Sequence, residues 1–187
     1  MSLEGKGAFK LANRSCNLNA KQQAKMLEKE IITALGQDWT ENINQKVGVA
    51  YDYVLPDGTK TELKCDLASA TTGNFFFEME QQLGGGAWRP SGIALAIEQA
   101  NSIIFANAEE VLRVNTQDLA AWLPYNGPRF RTRTTHDGAN GNRDGNSARG
   151  ILVPRAELRK LAASRYVRAA PGTFIEDETL YSKEKKI

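Results

Sequence analysis

The stretch "CDLASATTGNFFFEMEQ", Cys65 to Gln81, brings three carboxylates close together in the chain: Asp66, Glu78 and Glu80. Converging carboxylates suit a hard divalent cation, and such a cation can supply the nucleophile for hydrolysing a phosphate ester. Asp66 ends one apolar run, and Glu78 and Glu80 lie two apart inside the next. Side chains alternate along a strand, so Glu78 and Glu80 are expected on one face with Phe76, and Phe75, Phe77 and Met79 on the other. A tight connection through "ASATTG" would make the two strands neighbours and set Asp66 beside the glutamates. Like charges that close repel unless a cation lies between them. The plainer alternative is the solvent face of an ordinary strand. The apolar "FFFEME" and the Asp at the end of the preceding run count against it.

The elements that must position these acids follow from periodicity. "NLNAKQQAKMLEKEIITALGQDW" reads as a helix capped by Asn19, with Met26, Leu27, Ile31, Ala34 and Leu35 near a 3.6-residue period and Gly36 as its stop. "VGVAYDYVL" reads as a strand with Val47, Val49, Tyr51 and Tyr53 on one face. Turn chemistry at Pro56–Thr59 returns "KTELKCDL" as its antiparallel partner. "NFFFEMEQ" is then a third strand of one meander. "RPSGIALAIEQA" is a helix with Ser91 as N-cap, "NSIIFA" a buried strand, "EVLRVN" a fifth strand and "TQDLAAWL" a short helix begun by Thr116. The Gly-, Asn- and Arg-rich run from Thr132 to Gly150 reads as a loop, "ILVP" as a strand and "RAELRKLAAS" as a helix. The expected fold is α/β, a central mixed sheet flanked by helices. Its expected layout is an N-terminal extension (1–16), a core (17–124), a basic extension of the same domain (125–174) and a tail (175–187).

The 187 residues carry a formal charge of only +2, with 41% hydrophobic and 25% charged residues, the composition of a globular protein. Charge is unevenly placed. Asn126 to Arg168 holds ten basic residues, nine of them Arg, against three acids, a local +7 that leaves −5 elsewhere. The planar fork of Arg suits phosphate. No run approaches the roughly 20 apolar residues of a membrane span, and "MSLEGKGAFK" has no apolar signal core, so no membrane partner and a cytoplasmic location are expected. Cys16 and Cys65 form no CxxC or zinc spacing, in keeping with a reducing compartment.

The order of elements and the acids together resemble the PD-(D/E)xK nuclease superfamily, whose core runs helix, three antiparallel strands, helix, strand. That family places an Asp on the second strand and acid-x-lysine on the third. Cys65-Asp66 stands where the family has Pro-Asp, and Glu78-Met79-Glu80 where it has (D/E)xK, over about Asn17 to Asn115. "TGNFFFEMEQ…RPSGIALAIEQANSIIF" is also similar to phage-type endonucleases of this group. The resemblance implies a restriction-endonuclease-like αβββαβ core and a Mg²⁺- or Mn²⁺-dependent DNA endonuclease. Asp66, Glu78 and the carbonyl of Met79 would hold the metal, and Glu80 would position or activate the water. Glu30 on the first helix would be a further ligand. Glu80 departs from the family's usual Lys. Lys64 is given no base role, because it could point to the opposite strand face. Family members often act as dimers, which makes a homodimer one expected assembly.

Arg89 and Ser91 flank a helix start, a natural phosphate site. Arg129, Arg131 and Arg133 alternate in "RFRTRT", and with Arg143 and Arg149 they could track a DNA backbone. Each has an ordinary reading as well, as a helix cap or a solvated basic loop. Gln99 and Asn101 could meet substrate or merely end a helix. Trp88 could stack on a base or anchor its loop. His136 has no partner pattern for catalysis, and "LGGGAW" lacks the Lys-Ser/Thr of a phosphate-binding P-loop. Two other classes stay open: a non-catalytic nucleic-acid-binding protein that keeps the fold, with Glu80 marking the lost lysine, and a phage assembly protein that binds neither metal nor DNA.

Overall fold

Asn19 opens the first helix through a capping box: its side chain accepts from the Gln22 amide, and the Gln22 side chain accepts from the Asn19 amide. The computed structural model describes residues 19–36, 38–43, 49–136 and 146–178. Their elements run α1 (Ala20–Leu35), β1 (Thr40–Glu41), β2 (Tyr53–Val54), β3 (Lys60–Cys65), α2 (Ala68–Thr72), β4 (Asn74–Gln82), β5 (Arg89–Pro90), α3 (Ile93–Gln99), β6 (Ser102–Ala106), β7 (Glu110–Asn115), α4 (Thr116–Asn126), β8 (Thr132–His136), β9 (Ser147–Pro154), α5 (Arg155–Leu161), β10 (Ala162–Ala170) and β11 (Thr173–Glu176). Gly36 ends α1 as expected. The expected strand start at Val47 lies outside the described residues.

Two sheets form rather than one. The larger has the order β1-β2-β3-β6-β7-β10-β11, and the smaller β5-β4-β9-β8. In the larger sheet β1, β2 and β3 are antiparallel, and β6 lies parallel to β3. A parallel neighbour requires a crossover, which passes through β4, β5 and α3. The expected meander of β2, β3 and β4 is therefore corrected. The "ASATTG" link folds as α2, Gly73 closes it at φ 73°, and β4 leaves for the second sheet.

Alternating apolar residues on both faces of the larger sheet explain its cover. Leu63 and Ile104 pack with Leu27 and Ile31 of α1, while Ile103 and Phe105 face the smaller sheet. There Phe77 stacks on Phe105 at 4.9 Å between centroids with planes 9° apart, and Phe75 tilts against Phe105 at 5.6 Å. Fully burying each such ring contributes about 1.5–3 kcal/mol. This aromatic seam holds β4 over the larger sheet.

The basic stretch is part of both sheets. Where a loop is expected from Thr132 to Gly150, β8 and β9 form a hairpin, of which residues 137–145 lie outside the described part. Strand β10 pairs with β7 and β11, so Ile175 and Glu176 of the expected tail belong to a strand. Among the described residues no helix is long and apolar enough to cross a membrane.

Candidate active site

Lys64 is the centre of the polar cluster. On β3, Glu62 pairs in register with Ile103 of β6 and Lys64 with Phe105, so both project on the face that meets the second sheet. Across the turn, Tyr53 pairs with Thr61 and Val54 with Lys60, a register that sets Asp52 opposite Glu62. Asp52 Oδ2 accepts the Leu63 amide at 2.8 Å, which fixes the carboxylate at the strand edge. Glu62, 5% exposed, forms an ion pair with the half-buried Lys64. Burial pushes the Glu62 carboxyl above its ordinary value, Lys64 opposes this, and the neighbouring Asp52 adds to it. Burial alone would lower the Lys64 ammonium. The charges of Glu62, Asp52 and Glu78 outweigh it and hold Lys64 above its ordinary value. These carboxylates favour the charged form of Lys64, which suits it to stabilising anionic oxygen.

A cavity of about 370 Å³ opens beside Lys64, lined by Asp66, Phe76, Glu78 and Ile93 and by Ala20 and Ala24 of α1. Asp66 and Glu78 thus share one cavity, although β3 and β4 are not paired. Lys64, which could have pointed to the opposite strand face, lines the same cavity. The Asp66 carboxylate is engaged by backbone amides, with Oδ1 accepting from Ser69 at 3.2 Å and Oδ2 from Phe76 at 3.1 Å. It ties the end of β3 to α2 and β4. Glu78 accepts from the Ser91 hydroxyl.

Glu80 is separated from Glu78. Glu78 pairs with Gly150 and Glu80 with Arg149, so two steps on β4 match one on β9. Adjacent β9 residues point to opposite faces, and Glu78 and Glu80 therefore do as well. Glu80 is ion-paired with Arg149, whose guanidinium lies 4.6 Å from the Trp88 ring centroid. The hydrogen bond from Arg149 holds the Glu80 carboxyl below its ordinary value. The expected shared face, and with it a water-activating Glu80 beside Glu78, is corrected.

The remaining expected ligands have other partners. The Met79 carbonyl accepts the Ser91 amide at 3.0 Å. Glu30 is ion-paired with Arg168. The acid of α1 that does face β2 is Glu28, which accepts from the Tyr53 hydroxyl at 2.9 Å. Gly92, not Ser91, precedes α3, and Ser91 is buried with its hydroxyl on Glu78, so it is no open phosphate site. Asn115, not Thr116, caps α4. Gln99 accepts the Ala50 amide and Asn101 the Lys60 amide, both at 2.9 Å.

Arg89, Arg129, Arg131 and Arg133 are exposed, while Arg143 lies outside the described residues. Arg133 pairs with Gly150, which pairs with Glu78, so Arg133 and Glu78 share a face of the smaller sheet. At about 4.8 Å per strand their backbones lie roughly 10 Å apart.

Asp52 and Glu62 offer hard oxygens from adjacent strands, a donor set suited to a small divalent cation that keeps several waters. Among the described residues, no three His, Cys, Asp or Glu side chains gather as a metal-binding group. Asp52 and Glu62 are not among the site residues expected from the sequence, and Lys64 is given no base role there; the available signal is Glu-x-Lys with Asp52 and Glu62 equally distant from the turn at Asp57. Comparison with protein-family models, with curated proteins and with solved structures returns no match.

Proposed function

We propose that this protein is a divalent-metal-dependent DNA phosphodiesterase whose reacting centre is Asp52, Glu62 and Lys64. The observation that carries this reading is Asp52 set beside Glu62 by the β2–β3 register, with Lys64 ion-paired to Glu62 and lining a cavity. The run α1, β1-β2-β3, α3, β6 supports it, because it follows the helix, three antiparallel strands, helix, strand order of the restriction-endonuclease-like core. In that core an Asp on the second strand and acid-x-lysine on the third do the chemistry. Asp52 immediately precedes β2, and Glu62-Leu63-Lys64 lies in β3. The motif thus falls one strand earlier than Glu78-Met79-Glu80.

In this reading Asp52 and Glu62 hold Mg²⁺ or Mn²⁺. The ion supplies charge neutralisation at the phosphate and acidity to a water. Burial and the nearby Asp52 raise the Glu62 carboxyl, and a cation held between the two carboxylates would relieve that repulsion. The Lys64 ammonium, held by Glu62, donates to a non-bridging phosphate oxygen and stabilises its growing charge. The exposed Arg131 and Arg133 receive the backbone that leaves the site. The alternative of a binding protein that has lost its lysine took Glu80 as the mark of that loss; in the present reading Lys64 supplies the acid-x-lysine cation instead, and the cleavage test separates the two.

The test is incubation with DNA in Mg²⁺ or Mn²⁺. Cleavage is expected with metal, absent with chelator, and at least about 100-fold slower in Asp52→Asn and Lys64→Gln. Metal-independent cleavage, or full activity in both variants, would overturn the proposal.

A further inference from the structure

We propose that the cavity beside Lys64 receives one unpaired nucleotide of the substrate strand, stacked on Phe76, so that the protein selects single-stranded DNA over closed duplex. This deepens the phosphodiesterase reading and rests on it for the position of the reacting phosphate.

Phe76 is the first ground. Its neighbours Phe75 and Phe77 are 1% and 0% exposed and fill the core. Phe76 points the other way, belongs to neither core cluster and lines the cavity. A large aromatic ring facing an open cavity is a surface on which any base can stack.

The shape of the cavity is the second. Ala20 and Ala24, one turn apart on α1, line it opposite the strands, and side chains this small leave the space unfilled. At about 370 Å³ it lies at the low end of small-molecule pockets. That is room for a nucleotide and too little for a base pair within its helix. A base must therefore leave its stack to enter, at a cost that is least for a strand already single.

The polar groups complete the fit. Lys64 marks the phosphate end. Glu78, fixed by Ser91, presents an acceptor to the exocyclic amino groups of adenine or cytosine. Gly92 keeps Glu78 in place, since a Cβ there would lie 2.8 Å from the Glu78 Cβ. Beyond Glu78, the shared sheet face leads across Gly150 to Arg133.

The experiment is fluorescence anisotropy of the full chain in EDTA, with a labelled single-stranded adenine–cytosine oligonucleotide and a closed hairpin duplex of equal length. The single strand is expected to bind at least 10-fold tighter. Phe76→Leu keeps an apolar wall without a π face and is expected to bind it roughly 5- to 100-fold more weakly, whereas Phe76→Trp retains binding. Circular dichroism checks that both variants are folded. Equal or tighter duplex binding, or unchanged affinity in Phe76→Leu, would overturn the inference. Metal-dependent cleavage alongside either of those results leaves the phosphodiesterase reading standing and removes this one. Phe76-dependent binding of the single strand without cleavage in any metal does the reverse.

Discussion

The Glu110 carboxylate is 1% exposed, and three arginines converge on it: Arg155 at 2.8 Å, Arg159 at 2.9 Å and Arg165 at 2.9 Å. Burial alone would raise its pKa. Hydrogen bonds from Arg159 and Arg155, with their charges, outweigh burial and hold the group below its ordinary value of 4.5. A depressed folded-state value means that the stabilisation is complete above pH 4.5 and is lost as pH falls through the lower folded value. Denaturant unfolding is therefore expected to show stability falling below that pH in the wild type and a shallower fall in Glu110→Gln. At neutral pH the same variant is expected to lose about 3–5 kcal/mol, because it removes the buried counter-charge that the three arginines share, although Arg155 keeps Glu109 and Arg165 keeps Asp177. Equal acid sensitivity in the two proteins would contradict this account. The residue scale was also where the sequence was hardest to read. In "KTELKC" the alternation of Glu62 and Lys64 with apolar residues looks like a solvent face, and only the packing of β4 and α3 over that face turns it into a half-buried cluster.

At the scale of elements, the bulge between β4 and β9 separates the two glutamates. It depends on Gly150, where a Cβ would lie 1.8 Å from the Phe77 carbonyl oxygen. Gly150→Ala must displace backbone, and it is expected to cost at least about 1–3 kcal/mol, read as a lower midpoint in denaturant unfolding. Gly92→Ala places a side chain at φ +52° and against Glu78. It is expected to cost about 1–3 kcal/mol as well. An unchanged midpoint in Gly150→Ala would mean that the bulge is not fixed by that contact. Elements with local signals were legible. The Asn19 cap and apolar period gave α1, Pro56–Thr59 gave the β2–β3 turn, and the unbroken apolar run gave β6. The bulge was not, because the residue that makes it lies about seventy positions beyond the glutamates it turns apart. The second sheet was hidden for the same reason: β4 finds its partner in β9, across the whole of β6 and β7.

For the whole molecule, the larger sheet carries Asp52, Glu62 and Lys64 on the face that meets the smaller sheet, and the smaller sheet sets Arg133 on the face of Glu78, two strands away. The uneven charge of the sequence therefore has a spatial counterpart. Arg155, Arg159, Arg165 and Arg168 serve internal ion pairs, while Arg131 and Arg133 are exposed on and beside the edge strand β8. The combined Arg131→Ala and Arg133→Ala variant is expected to bind single-stranded DNA more weakly and to lower the slope of log affinity against log salt by roughly 1.4. An unchanged slope would mean that DNA takes another path. The most direct measurement of the central claim is the Mn²⁺-dependent cleavage rate of Glu62→Gln beside Glu80→Gln, with the wild type as reference. The expected result is loss of cleavage in Glu62→Gln and a rate within a few-fold of wild type in Glu80→Gln. Cleavage that survives in Glu62→Gln and disappears in Glu80→Gln would contradict the assignment.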